Sequence, residues 1–318
     1  MRLNQSRETE NRAPAAFKTS VGGQALMEGV MMRGPKKMCV AVRQPDGEIF
    51  TEVTDVPQRA WKKWPFVRGV CSFLDSLVSG YHCLMKSAEI AMPDEAGEET
   101  KFDRWVAEKF GKKGTDFVMA GAAVLGGMLA LALFLVAPTA LAGLVGLFVP
   151  LGGWRALLEG VFKLVMLVGY MALVSKMKEI DRMFRYHGAE HKTIACYEAG
   201  RELNVENARP CSRFHPRCGT SFLLIVILLS ILAGALIQTE STLLRIALKL
   251  ALLPVIMGVG YEVIKLCGRY DNPLTRVLSA PGLWLQRITT QEPDDGMLEC
   301  AIAAVLPVLP EDPEEGKW

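Results

Sequence analysis

An uncharged, strongly apolar run covers residues 117–153, and no other feature of the chain limits its fold as much. One membrane-crossing helix needs roughly 20 such residues, so the run is long enough for one span and part of another. Pro138 and Pro150 divide the run, which predicts a transmembrane helix over 117–137 and a shorter re-entrant or interfacial segment over 139–152. Further apolar runs at 157–175, 221–237 and 243–266 bring the predicted number of transmembrane helices to four.

The distribution of positive charge predicts how these spans are oriented. Residues 176–220 contain nine Lys and Arg, whereas the connecting segments 138–156 and 238–244 contain only Arg155. Basic segments beside membrane spans stay in the cytoplasm, and two full spans within 117–153 would put the nine-cation segment outside. We therefore expect a multi-pass protein of the cytoplasmic membrane with four spans and both termini cytoplasmic.

The residues before the first span read as a small soluble region. Two β-rich runs, 39–43 and 48–53, flank a Pro-Asp-Gly turn and predict a hairpin, and residues 25–33 predict one further strand. Residues 65–92 repeat apolar side chains at helical spacing, which indicates an amphipathic helix. The predicted fold is an α-helical integral membrane protein with four transmembrane helices, a re-entrant segment and a small cytoplasmic α+β N-terminal region.

These signals divide the chain into seven predicted segments. In order they are a disordered tail (1–20), a β-hairpin or sheet with an amphipathic helix (21–92), an acidic linker and pre-membrane segment (93–115), a first membrane hairpin (116–175), a cytoplasmic metal-candidate loop (176–220), a second membrane hairpin (221–266) and a cytoplasmic C-terminal tail (267–318).

Charge and cysteine content exclude several classes of protein. The formal net charge of the 318 residues is only +2, which argues against a nucleic-acid partner. The eight cysteines include no C-x-x-C pair, so a disulfide scaffold and a zinc ribbon are not expected, and a reducing compartment is. Residues 1–20 are polar and predict no cleaved signal peptide. The expected partners are the lipid bilayer and a membrane protein or a second copy of this chain.

The motif His187-x-x-Glu190-His191 carries the strongest chemical signal. In a helix, residues i, i+3 and i+4 share one face, so both imidazoles can bind one metal ion with the carboxylate beside them. This is the inverted zincin pattern, in which the histidines bind zinc and the glutamate acts as the base toward a water molecule. We predict a divalent metal, zinc by ligand type, with Glu190 as the catalytic base.

Further ligands follow the motif in the segment 211–218. A zinc site can be completed by His215 and by Cys218 or Cys211, while Glu198 shares the helical face of His187 and can serve as a ligand or as a partner to an imidazole N–H. Four protein ligands would make a closed, structural site, and three would leave a position open for catalysis. A metal-dependent hydrolase and a structural metal therefore both fit the pattern.

Two other interpretations compete with a metal-dependent enzyme. The His- and Arg-rich loop can be a cap that hydrogen-bonds to the spans or to lipid headgroups without a metal. Charged residues within the predicted spans favour a transport path instead, because such groups are costly in hydrocarbon; they are Glu159, Lys163, Arg245, Lys249 and Glu262. The alternative function is thus a non-catalytic assembly or scaffold protein, or a small transporter, with a structural metal or none.

Several long motifs resemble those of the YqhQ-like family of bacterial membrane proteins. They are residues 21–34 (VGGQALMEGVMMRG), 186–193 (YHGAEHKT), 215–222 (HPRCGTSF), 281–287 (PGLWLQR) and 289–295 (TTQEPDD). The family is a domain of unknown function labelled "predicted metal-dependent enzyme", so the resemblance implies a bacterial cytoplasmic-membrane protein with a metal site. The residues that match the family pattern are His187, Glu190, His191, His215 and Cys218, whereas Cys211 does not belong to it.

Overall fold

The computed structural model describes residues 17–58, 64–93, 118, 121–122, 124–239, 241–270, 272–310 and 315–316. Residues 1–16 of the predicted tail and residues 94–115 of the predicted linker lie outside this range. Phe17, within the segment predicted to be a disordered tail, makes an ordered contact: its backbone N–H donates to the carbonyl oxygen of Glu198.

The N-terminal region forms an antiparallel sheet of four strands in the order β1 (Gly22–Leu26), β2 (Gly29–Arg33), β3 (Lys37–Arg43) and β4 (Ile49–Asp55). The predicted hairpin is confirmed as β3 and β4, and Gly47 adopts a positive φ of 90° in their turn. The single strand predicted over 25–33 is wrong. The chain reverses tightly at Met27 and Glu28, where Glu28 has a φ of 49°, so this stretch supplies the end of β1 and all of β2.

Nine α-helices follow the sheet in the part of the chain that the structure describes. They are α1 (Val67–Ala91), α2 (Val124–Gly146), α3 (Arg155–Val174), α4 (Lys178–Glu198), α5 (Val205–Ala208), α6 (Gly219–Leu236), α7 (Thr242–Arg269), α8 (Pro273–Thr289) and α9 (Asp295–Val305). The amphipathic helix predicted over 65–92 is confirmed as α1. Four helices, α2, α3, α6 and α7, are long and apolar enough to cross a membrane, as predicted.

The prediction that a helix ends at Pro138 is wrong. The separate re-entrant or interfacial segment predicted over 139–152 is therefore also wrong. Helix α2 continues through Pro138 to Gly146. A proline inside a helix lacks an N–H and its ring clashes with the carbonyl four residues earlier. The turn that holds that carbonyl, Ala132–Val136, has π-helical geometry, and such a local adjustment is how membrane helices accommodate proline. A turn and a 3₁₀ segment, Gly152–Trp154, then lead into α3.

The described residues fall into two compact units. One combines residues within 1–92, 171–226 and 257–318, and the other residues within 93–170 and 227–256. The first unit has a buried core to which the sheet, α4 and α9 contribute, including Val30, Tyr186 and Cys300. Helix α9, predicted as part of a C-terminal tail, thus belongs to this core. Sequence-distant segments build the unit together, and α4 lies at its centre.

The β1–β2 turn fixes α4 against the sheet. Glu28 in this turn accepts two hydrogen bonds from the guanidinium of Arg182 and one, at 3.3 Å, from the hydroxyl of Tyr186. Both residues lie on α4, in the two turns that end at His187. The metal-candidate motif is therefore positioned by the N-terminal sheet.

Candidate metal centre

Helix α4 presents the predicted motif on one face. Its first turn contains Glu179 and Asp181, whose negative charges complement the positive end of the helix dipole. The imidazole rings of His187 and His191 lie one turn apart with their centroids at 4.4 Å. The helical geometry that the spacing predicts is therefore present.

Cys218, directly before the first residue of α6, joins the two histidines. Its Sγ lies 3.2 Å from Nε2 of His187, and one ligand atom of each of the three residues lies within 4.8 Å of the others. The Thr220 hydroxyl also donates to this sulfur at 3.3 Å. In a tetrahedral zinc site with bonds of about 2.1 Å to nitrogen and 2.3 Å to sulfur, neighbouring ligand atoms would be roughly 3.5 Å apart. The Cys218–His187 distance is close to this value, and the His191 ligand atom would need to move by about an ångström at most.

Backbone carbonyls orient both imidazoles. Nδ1 of His187 lies 2.8 Å from the carbonyl oxygen of Thr289, the last residue of α8, and Nδ1 of His191 lies 2.6 Å from the carbonyl oxygen of Arg213. A carbonyl can only accept, so each Nδ1 carries the proton and donates it. The lone pair of a neutral ring is then on Nε2, the arrangement that fixes metal-binding histidines in many sites.

The electrostatics of the cluster favour a thiolate. Burial alone would raise the pKa of Cys218, but the neighbouring His187 and His191 outweigh it and hold that pKa well below its ordinary value. Burial lowers the pKa of His187, and the adjacent Cys218 and Glu190 reverse this and raise it to about 9. Each group therefore favours the charged form of the other, the Cys218 thiolate and the His187 imidazolium, and a metal ion bound by both would take the place of the imidazolium proton.

Glu190 lies beside the cluster and is not one of its three members. The side chain is buried, and burial raises the pKa of its carboxyl group although His191 and His187 act in the opposite direction. The backbone N–H of Gly23 in β1 lies near this carboxylate and acts to lower the same pKa. Its Oε2 atom is buried and has no hydrogen-bond partner among the described residues. An unsatisfied carboxylate oxygen in such a place is costly unless a water or ion occupies the space beside it.

His215 is held by a neighbouring ion pair instead of joining the three ligand candidates. Its ring lies 5.6 Å from that of His191, between centroids, and its Nε2 lies 3.1 Å from the guanidinium of Arg217 and 3.6 Å from the carboxylate of Glu198. Glu198 and Arg217 form a buried salt bridge, and the N–H of Thr19 donates to the same carboxylate at 2.7 Å. Burial lowers the pKa of His215 to about 4, so this ring is neutral.

The other cysteine considered from sequence has a different environment. The Cys211 thiol donates to the carbonyl oxygen of Asn207 at 3.3 Å, and the residue belongs to the core of the first unit. All eight cysteines are free. The structure therefore brings together His187, His191 and Cys218, with Glu190 beside them, and leaves His215 and Cys211 outside that group.

Several groups that build the site were not predicted from the sequence. The carbonyls of Thr289 and Arg213 and the N–H of Gly23 are backbone atoms, which any residue type could supply. Gly188 is also structural, because a Cβ on it would lie 2.0 Å from the carbonyl oxygen of Gln291. The sequence does contain a sign of this backbone contact, the glycine in the H-G-A-E-H stretch, because glycine permits close approach of another backbone.

Four apolar helices of membrane-spanning length and a largely buried His–His–Cys cluster outside them are consistent with the class of helical membrane proteins that carry a candidate metal centre. The chain belongs to the family described as "Protein of unknown function (DUF1385)", whose model matches residues 64–311. It is 35% identical over 312 residues to the protein described as "Uncharacterized protein YqhQ" from Bacillus subtilis (strain 168), covering 95% of this chain and 94% of that protein. The predicted resemblance is thereby confirmed. No solved structure matches the chain.

Proposed function

We propose that the protein is a zinc-dependent hydrolase of the cytoplasmic membrane, with His187, His191 and Cys218 as metal ligands and Glu190 as the base. The observation that carries this proposal is the convergence of three ligand atoms within 4.8 Å beside a buried carboxylate oxygen that has no partner among the described residues. Three protein ligands with a neighbouring acid are typical of catalytic zinc sites.

The donor set fits zinc. Two imidazoles and a thiolate are borderline and soft ligands, which zinc accepts and which magnesium and calcium disfavour. Both imidazoles direct Nε2 away from the carbonyls that hold their Nδ1 atoms. Zinc held by three protein ligands keeps a fourth position for water and lowers the pKa of that water to about 7.

Glu190 is suited to receive a proton. Burial raises the pKa of its carboxyl group, which brings a carboxylate closer to the range in which a general base works at neutral pH. The Oε2 atom of Glu190 has no hydrogen-bond partner among the described residues, so it is available to accept a proton from a water molecule. We infer hydrolysis as the reaction class because a base next to a metal site activates water.

A structural metal is the second candidate, and the burial of the centre favours it. His191 is 1% exposed and Cys218 is 9% exposed. A metal ion here would link α4 to the start of α6 and, through the Thr289 carbonyl, restrain the end of α8. The protein would then be a non-catalytic membrane assembly factor whose soluble unit is stabilised by the ion.

Metal content tests the proposal first. The full chain, purified in detergent without a His-tag, should contain about one zinc per chain by inductively coupled plasma mass spectrometry. His187→Ala/His191→Ala and Cys218→Ser should each lose it. His215→Ala is the matched control, because it removes an adjacent buried imidazole outside the cluster and should keep the metal. An absence of metal in the wild type after reconstitution with zinc would reject the site.

Glu190→Gln separates the two candidates. The amide keeps the size of the side chain and cannot serve as a base. The hydrolase predicts that Glu190→Gln retains zinc and thermal stability but loses turnover in a screen of ester, amide and phosphoester substrates. Equal turnover in wild type and Glu190→Gln would leave the structural metal as the function of the site.

A further inference from the structure

Helix α8 buries polar side chains and exposes large apolar ones. Four of its buried side chains carry hydroxyl or amide groups, and they are Thr275, Ser279, Gln286 and Thr289. Leu285 is the only large apolar side chain among its buried residues. Three large apolar side chains share its exposed face, and they are Leu274, Val277 and Trp284. A helix on the surface of a water-soluble domain has the opposite arrangement, with its polar face outward.

Hydrogen bonds hold the buried face of α8 against the segment that leads into α6. The side-chain oxygen of Gln286 accepts from the backbone N–H of His215 at 2.8 Å. The side-chain amide of Gln286 donates to the backbone carbonyl of His215 at 2.8 Å and to the hydroxyl of Ser221 at 3.3 Å. The two helices approach closely, because a Cβ on Gly282 would lie 2.3 Å from Oγ of Ser221. These contacts fix the orientation of α8 with its apolar face turned away from the protein.

Helix α1 also has an apolar outer face. Large apolar side chains are exposed along more than three of its turns, and they are Val67, Leu74, Leu77 and Val78. The charged residues of the stretch 66–81 are Arg68 and Asp75, and both are paired with other elements. Arg68 donates to Glu262 of α7 at 2.7 Å. Asp75 accepts from Arg33 of β2 at 2.8 Å. The charged groups of α1 in this stretch therefore face the protein, as the polar groups of α8 do.

Both helices lie beside the ends of candidate spans within the first unit. Helix α8 begins at Pro273, four residues after the end of α7. Helix α1 contacts the last turns of α7, where a Cβ on Gly69 would lie 2.7 Å from Cβ of Tyr261. It also contacts the first turn of α6, where the ring centroids of Phe73 and Phe222 are 6.0 Å apart. The outer faces of α1 and α8 are therefore next to helix ends that a membrane would surround.

Exposed aromatic side chains mark the same region. The large aromatic residues exposed in the described part of the first unit are Trp64, Phe66, Tyr270 and Trp284. Two of them precede α1, one follows α7 and one lies on α8. Tryptophan and tyrosine concentrate at membrane–water interfaces, where the ring contacts hydrocarbon and the polar atom contacts headgroups. Arg287, exposed in the last turn of α8, is suited to contact with lipid phosphates.

A lipid bilayer is the partner that fits these two faces. Apolar surface exposed along a helix marks contact with a protein or with a membrane. Here the surface belongs to two helices beside the same span ends, and a bilayer covers both of them without a further partner. An apolar face bordered by aromatic side chains and a cation is typical of interfacial helices, whose apolar side lies among the acyl chains.

We propose that α1 and α8 lie in the lipid–water interface, with their outer faces among the acyl chains of the bilayer that α6 and α7 cross. The inference goes beyond the proposed hydrolase, because it requires these spans but neither a metal ion nor a reaction. It also places the candidate metal centre next to the headgroup layer, since Thr289 ends α8 and its carbonyl oxygen accepts from Nδ1 of His187.

Photo-crosslinking to lipid tests the proposal at four exposed valines. The photoreactive amino acid p-benzoylphenylalanine replaces one valine at a time in the full chain, which is reconstituted in nanodiscs of phosphatidylglycerol and phosphatidylcholine. Val78 on α1 and Val277 on α8 are the test positions, and their side chains are 60% and 69% exposed. Val165 on the candidate span α3, 64% exposed, is the positive control.

Val53 on β4, 46% exposed, is the negative control. It pairs with Cys39, which belongs to the core that the sheet shares with α4, so Val53 lies on the face of the sheet away from α1.

Intact mass spectrometry after irradiation detects the covalent adduct of the chain with one phospholipid. We expect both test positions to form about as much adduct as Val165 and roughly tenfold more than Val53, because the apolar face of an interfacial helix lies among acyl chains. Leu77 and Leu274 serve as test positions on the same two faces if a valine variant does not fold.

Four results would overturn the proposal. Adducts at Val165 with none at either test position would show that water covers the outer faces. A crosslinked dimer at a test position, in place of the lipid adduct, would show that a second copy of the chain covers them. An adduct at only one test position would reject the arrangement of two interfacial helices. An absence of adduct at Val165 would reject the spans themselves, and the inference with them.

Discussion

Gly188 shows how a single residue of the metal-candidate motif serves packing. It lies between His187 and Ala189 on α4, and the segment after α8 crosses it so closely that a Cβ would lie 2.0 Å from the carbonyl oxygen of Gln291. The N–H of Gln291 donates to the carbonyl of Phe184 at 2.8 Å. This crossing keeps the Thr289 carbonyl on His187. Glycine at position 188 is thus required for the orientation of the His187 ring, a candidate metal ligand.

Gly188→Ala should therefore destabilise the protein and weaken its metal site. The methyl group must displace backbone, which we expect to cost about 1–3 kcal/mol of unfolding free energy. Thermal unfolding and zinc content of the purified chain measure the effect. Gly169→Ala is the control, because its methyl group meets nothing and alanine favours a helix, so it should be neutral or stabilising. Equal unfolding temperatures for both variants would contradict the packing argument.

At the scale of residues, the sequence predicts what depends on local spacing. The i, i+3, i+4 pattern is enough to place His187, Glu190 and His191 on one face, and residue chemistry alone marks Cys218 as a ligand candidate. The sequence cannot show whether Cys218 or His215, three residues away, joins the two histidines, because that depends on which side chain faces α4. Arg217 and Glu198 engage His215 in a buried network that only the tertiary structure reveals.

At the scale of elements, α3 and α7 share a buried ionic network. Glu159 on α3 accepts hydrogen bonds from Arg245, at 2.7 Å, and from Lys249, both on α7, and all three side chains are buried. Arg245 also donates to the carbonyl oxygen of Gly234 near the end of α6. Lys163, four residues after Glu159 on α3, donates instead to Ser230 at 2.7 Å. Glu159 is the only acidic residue in α2, α3 and α6.

Glu159→Gln should strongly destabilise this part of the protein. The substitution leaves buried cations without their carboxylate, which typically costs about 3–5 kcal/mol. The unfolding temperature in detergent and the amount of protein inserted in membranes should both fall. The double variant Glu159→Gln/Lys249→Met removes one of those cations and should recover part of the loss. If the single variant unfolds at the wild-type temperature, the network does not stabilise the helices.

The first membrane helix shows why element boundaries are harder to predict than element types. A proline within an apolar run is a reasonable place to end a helix, and the sequence alone does not reveal the π-helical turn Ala132–Val136 that accommodates Pro138. The β1–β2 reversal was missed for a similar reason, since Glu28 adopts a positive φ without a glycine at that position. Both errors concern local backbone geometry, whereas periodicity and hydropathy predicted α1 and the four candidate spans, and a Pro-Asp-Gly turn between β-rich runs predicted the β3–β4 hairpin.

At the scale of the whole molecule, the core of the first unit joins segments from both ends of the chain. Val30, Tyr186 and Cys300 are buried in one cluster although they are far apart in sequence. Hydropathy cannot predict that association, and α9 was accordingly predicted as part of a tail. If the four candidate spans cross a membrane, all three segments lie on the same side of it, which connects the candidate metal centre to the topology of the spans.

Reporter fusions should show four crossings with the metal centre in the cytoplasm. Alkaline phosphatase, active only after export, should be active when fused after residue 149 or 239 and inactive after residue 200. Green fluorescent protein at the C-terminus should be fluorescent. The physical reason is the nine Lys and Arg of residues 176–220, which resist translocation.

Each alternative topology gives its own pattern of reporter activity. Two crossings within residues 117–153 would export the fusion after residue 200, and a reversed protein would exchange the activities of all the fusions together. Either result would place Cys218 and its neighbours in an oxidising compartment, where thiols are converted to disulfides. All eight cysteines are free, and seven of them are buried, including Cys218 in the candidate metal centre. A cytoplasmic site is the arrangement in which this thiolate stays available to a metal.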